Sequence, residues 1–428
     1  MNKIGILLVM MMLANTAAVT IDENLPEYDY SDLDCHGATY TVLHEPSDSD
    51  AYTMFPEECN GNIVNDSAYA RKIRTEEQHN VKIEAFVTED AKRMTQNAVL
   101  AADDCFEIAS LSVTELTPLA ISGFFYDLNK VEDLQLDQPW WNQSINESLS
   151  IGDEGYLFAA AADVSFTSFD EVSCVYFNRE ALGDSLYQTV REGNWTLDKL
   201  LALAKDGSID LNGSADAAAL LAGAGESFLA EDAEGNISLN KNDSRLYDVV
   251  DKLTAVWSKK AAEDSDALFA VATVGDSADY GEGWGVLPMP KYDRRDDYTS
   301  LVTNHFEMLV MPIFIRDSKL EMVGTVTDAL AYNSTKYGLE MQYYEAEKDL
   351  SSPYAALKKD SDNMQMLRLI RDSRTLDTGI AYGMTNRLTA ALPQILETGS
   401  LASSIAANEQ VIQKTIDYTL EAVDELDR

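Results

Sequence analysis

The sequence predicts an α/β protein of two lobes, each a sheet flanked by helices, joined by a multi-strand hinge. Three observations lead there. The chain has 428 residues, too many for one ordinary core and suited to two of about 150 to 200 residues each. Its first part alternates strand-like with helix-like stretches. Late in the chain, the run Gly285-Val-Leu-Pro-Met-Pro-Lys-Tyr-Asp293 is apolar and carries prolines at 288 and 290. Those prolines fix φ and remove two backbone donors, so the run is extended and stiff. A stiff strand arriving this late is what a two-lobed chain needs if it must cross back from one lobe to the other.

Taking the chain in order, Ala38 to His44 is a β-branched and aromatic run, hence the first strand. Asp66 is placed to cap a helix through Glu77 that Asn80 ends. Val81, Ile83, Ala85 and Val87 alternate with Lys82 and Glu84, which marks a half-buried strand. Thr88 is expected to cap a second helix, with Ala91, Met94, Ala98 and Ala101 at helical spacing, and Phe106 to Leu111 is a further strand. Helix-length crossovers between these strands require parallel pairing with helices on both faces. Asp163 to Phe177 reads as a long extended segment and is taken as the first crossing between lobes.

Thr196 begins a helix through Lys205, with Asp198 in its first turn and Gly207 just beyond its end. Periodicity is weak over residues 206–243, whereas Leu246, Val249, Val250, Leu253, Val256 and Trp257 form one helical face. After the proline run the chain is expected back in the first lobe, with a strand within Asn304 to Ile315 and a helix over Ser318 to Tyr332. A third crossing near residues 340–350 leads to a last helix, whose stripe Ile412, Ile416, Leu420, Val423 and Leu426 should pack on the second lobe.

The proline run followed by Tyr298 resembles the crossover segment of extracellular solute-binding proteins of ABC importers. Other stretches resemble the same bacterial family, of the family 1 type, in the same order: Glu57-Glu58-Cys-Asn60-Gly61 with Val64-Asn65-Asp66, Pro139-Trp140-Trp141, Val175-Tyr-Phe-Asn178-Arg179, Glu192-Gly-Asn-Trp195-Thr-Leu-Asp-Lys199, and Ile370-Arg-Asp372-Ser-Arg374 with Asp377. The resemblance implies a periplasmic-binding-protein-like fold. Residues 37–165 and 290–345 are then expected in lobe 1, and 166–289 and 346–428 in lobe 2. It also implies a small-molecule ligand, held between the lobes and delivered to an ABC permease, with a carbohydrate or oligosaccharide expected.

Lys3, the apolar run Ile4 to Leu13 and the small residues up to Ala18 have the pattern of a secretory signal. Residues 1–18 are therefore expected to be removed, and 19–36 to form a flexible acidic leader. The resemblance would place a lipid-anchoring cysteine at the cleavage site, yet the first cysteine is Cys35; a released, extracellular protein is expected. Cys35 and Cys59 are the two that could pair in an oxidising compartment. Cys105 and Cys174 lie in apolar, strand-like runs and read as core residues. Net charge is −41, which repels nucleic acid and anionic lipid, so partners of those kinds are not expected; a monomer is.

Enzyme signatures are absent: the chain has no G-x-S-x-G elbow, no phosphate loop of the G-x-x-x-x-G-K-[ST] type, no H-E-x-x-H and no C-x-x-C. No cofactor is expected. His36, His44, His79 and His305 have no ligand-like spacing and read as surface or loop residues. Asp210-Leu-Asn212-Gly-Ser214-Ala-Asp216 partly resembles a calcium loop but has Ala215 and Leu221 where the sharp-turn glycine and the bidentate glutamate belong. Carboxylate neighbours such as Asp103-Asp104 and Glu57-Glu58 follow from composition and read as solvated surface.

Recognition by aromatics and amides remains. Trp140 and Trp141 just ahead of the first crossing, and Tyr298 and Asn304 just past the second, are the candidate ligand contacts, with Trp284 between glycines. Ser112, at the carboxyl end of a parallel strand, and Asp163 and Ser168 on the first crossing are added from topology. Two rival readings share these features: the same fold binding a peptide or other polar solute, and an exported glycan-active enzyme.

Overall fold

The computed structural model describes residues 25–28, 33–46, 52–152, 155–232, 235–262, 267–280, 283–340 and 361–426. The signal segment expected at 1–18 and the crossing expected near 340–350 fall outside them, save for residue 340. The chain forms two compact units. Unit 1 holds the described residues up to Ser150, then Gly155–Ser168 and 307–340; unit 2 holds Phe169–Phe306 and 361–426, with 151–152.

In unit 1, β1 (Ala38–His44), β2 (Val81–Val87), β3 (Ile108–Ser112) and β11 (Glu307–Val310) make a sheet of order β11-β3-β1-β2. The alternation in β2 holds over its first half only: Val81 and Ile83 are buried while Lys82 and Glu84 are exposed, but Ala85 and Val87, expected on the buried face, are exposed too, because the strand runs out at the sheet's end beside the mouth of a cavity. β1 is parallel to both β2 and β3, as the helical crossovers Ile63–His79 and Ala91–Ala101 demand, and β11 returns antiparallel with Glu307 opposite Ser112. Both caps differ from the sequence expectation. Asn62 caps the first helix and Asp90 the second, because the segment before each turns out of the helix earlier or later than Asp66 and Thr88 suggest. Asp66 instead sits in the first turn, where its carboxylate accepts from the Asn60 and Gly61 N–H groups at 2.9 and 3.2 Å. Asn80 does end the helix, in the left-handed conformation that asparagine tolerates.

The helix Asp317–Lys336 packs Val323, Val326, Ala329 and Leu330 into the unit-1 core. Its Asp328, wholly buried, accepts from the indole nitrogens of Trp140 (3.0 Å) and Trp141 (2.8 Å) and from the Gln135 N–H (3.2 Å). The leader is not all loose. Tyr28 stacks on Tyr332 at 4.7 Å and meets Trp140 edge-on, since an aromatic residue there covers the end of this same cluster.

In unit 2, β4 (Ser173–Asn178), β5 (Ile209–Asp210), β8 (Phe269–Thr273) and β9 (Trp284–Leu287) form a sheet of order β5-β8-β4-β9. Small ladders join β6 (Leu229–Glu231) to β7 (Ile237–Leu239) and β10 (Ser300–Leu301) to β12 (Arg374–Thr375). The first passage is not continuously extended: Phe166–Glu171 is a 3-10 turn and the strand begins at Ser173. The helix Ser244–Trp257 buries the six residues of its expected face, and the helix Leu401–Asp424 packs within unit 2 through Ile405, Ile412 and Ile416.

The proline run is extended but does not cross. β9 pairs antiparallel with β4 inside unit 2, and the passage to unit 1 falls between Phe306 and Glu307, well after residue 290. The reason is a set of through-space contacts. The Trp195 indole donates to the Pro288 carbonyl at 2.9 Å, and Lys291 exchanges backbone bonds with Trp195 and Leu197. A Cβ on Gly223 would fall 2.6 Å from Met289, and one on Gly285 2.3 Å from the Tyr187 hydroxyl, so only glycine admits this packing.

Cys35, Cys59, Cys105 and Cys174 are all free thiols; the Cys35–Cys59 pair does not form, and of the two expected in the core only Cys174 is buried. His44 and His79 are buried, not surface residues, because they end a central strand and a packed helix. Among the described residues no helix is long and apolar enough to cross a membrane.

Replacing Asp328 by alanine would leave two buried indole N–H groups without this acceptor, each costing about 1–3 kcal/mol. The expected loss in urea unfolding, followed by fluorescence of Trp140 and Trp141, is about 3 kcal/mol or more. Asp328→Asn keeps an acceptor oxygen and should lose clearly less; equal losses would show that the indole bonds do not matter.

Candidate functional site

Each unit has a cavity where its strands end. In unit 2, about 580 Å3 opens where β5 and β8 finish and β4 starts, walled by Asp210, Thr273 and Ser173. Open α/β sheets characteristically bind ligands at this carboxyl edge. Tyr280 supplies an aromatic wall, and its ring stacks on Tyr176 (4.2 Å, 17°) and lies 5.1 Å from Trp284. Tyr176 is itself fixed, its hydroxyl donating to the Val274 carbonyl at 3.0 Å. Burial first, and then the charges of Asp210, Cys174, Asp276 and Asp279, push the Tyr280 phenol well above its ordinary range, so it stays a donor.

The remaining wall mixes apolar side chains such as Val271, Leu301 and Ile380 with polar groups. Asp276 accepts from both the N–H and the hydroxyl of Thr273, at 2.8 and 2.9 Å. Asp216 accepts from the Asn212 N–H in the first turn of the helix Gly213–Gly223. Thr303 donates through its hydroxyl to Glu171, and Asn304 stands exposed beside it. Desolvation, reinforced by Asp210 and Asp276, raises the Asp216 carboxyl to about 7.

In unit 1 a smaller cavity of about 180 Å3 lies where β1 and β2 end, lined by His44, Glu45, Val87 and Glu307. Glu307 accepts from the hydroxyls of Ser110 (2.9 Å) and Ser165 (2.7 Å), and Glu45 from the Ala91 N–H (2.9 Å). Burial first, then Glu115, Glu307 and Asp90, raise the Glu45 carboxyl. Behind this wall Arg71 is wholly buried. It donates to the carbonyls of Val164 (2.8 Å) and Met54 and to the Ser334 hydroxyl (3.1 Å), which ties the loop carrying Met54 to the segment carrying Ser165.

The residues singled out from the sequence divide between the units. Asn304 lines the unit-2 cavity, and Trp284 lies half-buried behind it against Tyr280. The others do not line either cavity. Trp140 and Trp141 are core residues committed to Asp328. Tyr298 is held by its hydroxyl, which donates to Val190 O (3.0 Å) and accepts from Trp195 N–H (3.3 Å). Ser112 donates through N–H and hydroxyl to Glu115 (3.0 and 2.8 Å), Ser168 donates to Ser165, and Asp163 is buried. The same packing that makes an aromatic attractive as a ligand platform makes it attractive as core. Tyr280, Asp276 and Asp279 carry no sequence signal, whereas Glu45 directly follows a strand and the end-of-strand rule could have found it.

No family model and no curated protein sequence matches the chain. Solved structures do. The galacto-N-biose/lacto-N-biose I-binding protein of an ABC transporter from Bifidobacterium longum is 12% identical with a TM-score of 0.52, over 91% of this chain and 99% of that one. The fold is that of periplasmic binding proteins. A maltose-binding periplasmic protein of Listeria monocytogenes, in complex with maltose, matches this binding-protein fold at 13% identity and TM-score 0.52, over 91% and 98%. The sugar-binding protein MalE of Xanthomonas citri matches at 9% and 0.55, over 89% and 97%. What the likeness establishes is the two-lobed α/β fold.

Asp216 yields a pH prediction. Its folded-state pKa, about 7, lies above the unfolded value of roughly 4, so between these limits the folded state holds the extra proton and stability falls as pH rises. Asp216→Asn should therefore gain stability relative to the parent chain as pH climbs from about 4 to about 7, with the difference level above that. Thermal unfolding across this range checks it, and a difference independent of pH would contradict it.

Proposed function

We propose that this chain is an exported bacterial solute-binding protein of the family 1 type, which captures a carbohydrate or oligosaccharide and hands it to an ABC permease. The observation that carries the reading is the unit-2 cavity. A sugar ring offers an apolar face that stacks on an aromatic, while its hydroxyls need side-chain donors and acceptors. Tyr280, backed by Tyr176 and Trp284, provides the first; Thr273, Asn304, Asp210 and Asp276 provide the second. The binding-protein fold supports the same reading, and the similar structures are named for lacto-N-biose, maltose and sugar binding.

No bond is made or broken in this function. Ligand binds one conformation better than another and shifts the population toward it, and the permease reads that conformation. Export through residues 1–18 and action as a monomer belong to the proposal.

A thermal-shift screen against sugars, peptides and other polar solutes tests it. A true ligand at 100 times its dissociation constant should stabilise the chain by about 2.7 kcal/mol. Stabilisation by peptides and by no sugar would overturn the carbohydrate reading. Fluorescence gives a residue-level check: Trp140, Trp141, Trp195 and Trp257 are buried and only Trp284 stands half-open beside Tyr280. A sugar-induced change in tryptophan emission should vanish in Trp284→Phe and persist in Trp141→Phe.

A further inference from the structure

The unit-1 cavity, taken by itself, holds a hydrogen-bonding group whose requirement is unmet. All its walls belong to unit 1: the ends of β1 and β2, the loop carrying Thr53 and Met54, the segment carrying Ser165 and Thr167, and Glu307 at the start of β11. His44, the last residue of β1, lines it and is 4% exposed. His44 Nδ1 lies 2.7 Å from the Glu45 carbonyl. A carbonyl only accepts, so Nδ1 carries the proton and Nε2 is left as an acceptor. That Nε2 has no partner, whereas buried polar groups as a rule have one. What the cavity lacks is a donor.

Size, charge and the remaining wall say which kind. An enclosed water needs only about 10–15 Å3 of such space, and the cavity offers about 180 Å3. It still falls below the roughly 300–1,000 Å3 of a cleft for a drug-sized ligand, so it suits a small solute. Behind the wall the wholly buried Arg71 donates to the carbonyls of Val164 and Met54 and to the Ser334 hydroxyl, with no carboxylate among these partners. Burial first, and then this guanidinium, hold the His44 pKa down, and the same positive charge disfavours a cationic donor at Nε2. The two carboxylates lining the cavity are already engaged, Glu307 by the hydroxyls of Ser110 and Ser165 and Glu45 by the Ala91 N–H. Thr53 and Thr167 add hydroxyls to the wall. A hydroxyl can donate to a ligand oxygen, and a ligand hydroxyl both gives and accepts, whereas an ammonium accepts nothing. A neutral hydroxyl therefore fits this wall better than an amine.

We propose that the unit-1 cavity is a binding site of its own for a small neutral polyhydroxy solute, one hydroxyl of which donates to Nε2 of an uncharged His44. Nothing in this depends on what the unit-2 cavity holds. A proton on Nε2 turns the acceptor into a donor, so acid empties the site. The groups facing His44 are Glu45, Glu307 and Arg71, with Glu115 and Asp90 acting on Glu45 in turn. The solute needs the neutral imidazole, so its affinity is level while that form prevails. It falls as pH drops through the folded-state pKa, which lies below the ordinary value of about 6.5.

NMR of the full chain with 15N in its histidine rings tests this, with erythritol, glucose and galactose as neutral probes and ethylammonium chloride as a cationic one. His44→Phe assigns the His44 signals. Near neutral pH at least one neutral probe should move the Nε2 resonance upfield, as a ring nitrogen moves when it accepts a hydrogen bond, and ethylammonium should not. Titrations should show His44→Phe binding that probe about tenfold more weakly, the worth of one hydrogen bond. His44→Gln, whose amide oxygen can accept but does not titrate, should keep the affinity and lose the fall of up to about tenfold per pH unit in acid. Unchanged melting temperatures for both variants exclude misfolding. An Nε2 resonance that no neutral probe moves, or that shows an accepted bond in plain buffer, would overturn the site. Movement by ethylammonium alone would overturn the neutral ligand, and an unaltered acid response in His44→Gln would overturn the role of the imidazole. A sugar that changes Trp284 emission yet leaves this resonance still removes the unit-1 site while the carbohydrate function stands.

Discussion

The antiparallel return of β11 beside β3 is the constraint on which the rest of this chain depends. Glu307 lies opposite Ser112 and Val310 opposite Ala109, so the polypeptide must leave unit 1 after the third strand, build most of unit 2 and come back. Residues 169–306 of unit 2 are thus inserted between two neighbouring strands of the unit-1 sheet, and 361–426 complete unit 2 after the return. That pairing also delivers the Glu307 carboxylate to the edge where β1 and β2 end, within reach of Ser110 and Ser165. One register thus serves both the connectivity and the chemistry of the unit-1 cavity.

Buried polar groups hold the surrounding structure in place. Asp328 gathers two indoles, and Arg71 gathers two carbonyls and a hydroxyl. Each is a group whose burial is costly unless its partners are supplied, so the partners are held to one geometry. The candidate site is built from the opposite condition. In the unit-1 cavity the buried Nε2 of His44 is an acceptor without a partner. Protein interiors satisfy nearly all their polar groups, so unmet acceptors lining a cavity are what a donor-bearing ligand would complete.

Much of the fold was legible in the chain. The strands Ala38–His44 and Val81–Val87, the parallel opening and the buried face of Ser244–Trp257 follow from periodicity and turn chemistry, which are local properties. The caps were less legible, because Asn62 and Asp66, or Thr88 and Asp90, are chemically equivalent choices a few residues apart. Of the site, only its location at strand ends and the residue Asn304 could be read; the carboxylates of the cavity walls are lost in a chain carrying 73 acidic residues.

By itself, then, the sequence determined which stretches are strands and helices, that the first three strands run parallel, and that the segment around Pro288 and Pro290 is extended. Hydrophobic period and proline stereochemistry act over a few residues and leave no choice there. Tertiary structure alone decided that this stiff segment stays within unit 2, that Trp140 and Trp141 are core, and that Tyr280 with Asp210, Asp216 and Asp276 shares one cavity. Those outcomes rest on contacts such as Trp195 to Pro288 and Trp141 to Asp328, between residues roughly a hundred or more positions apart, and no local pattern encodes which distant partner a side chain will find.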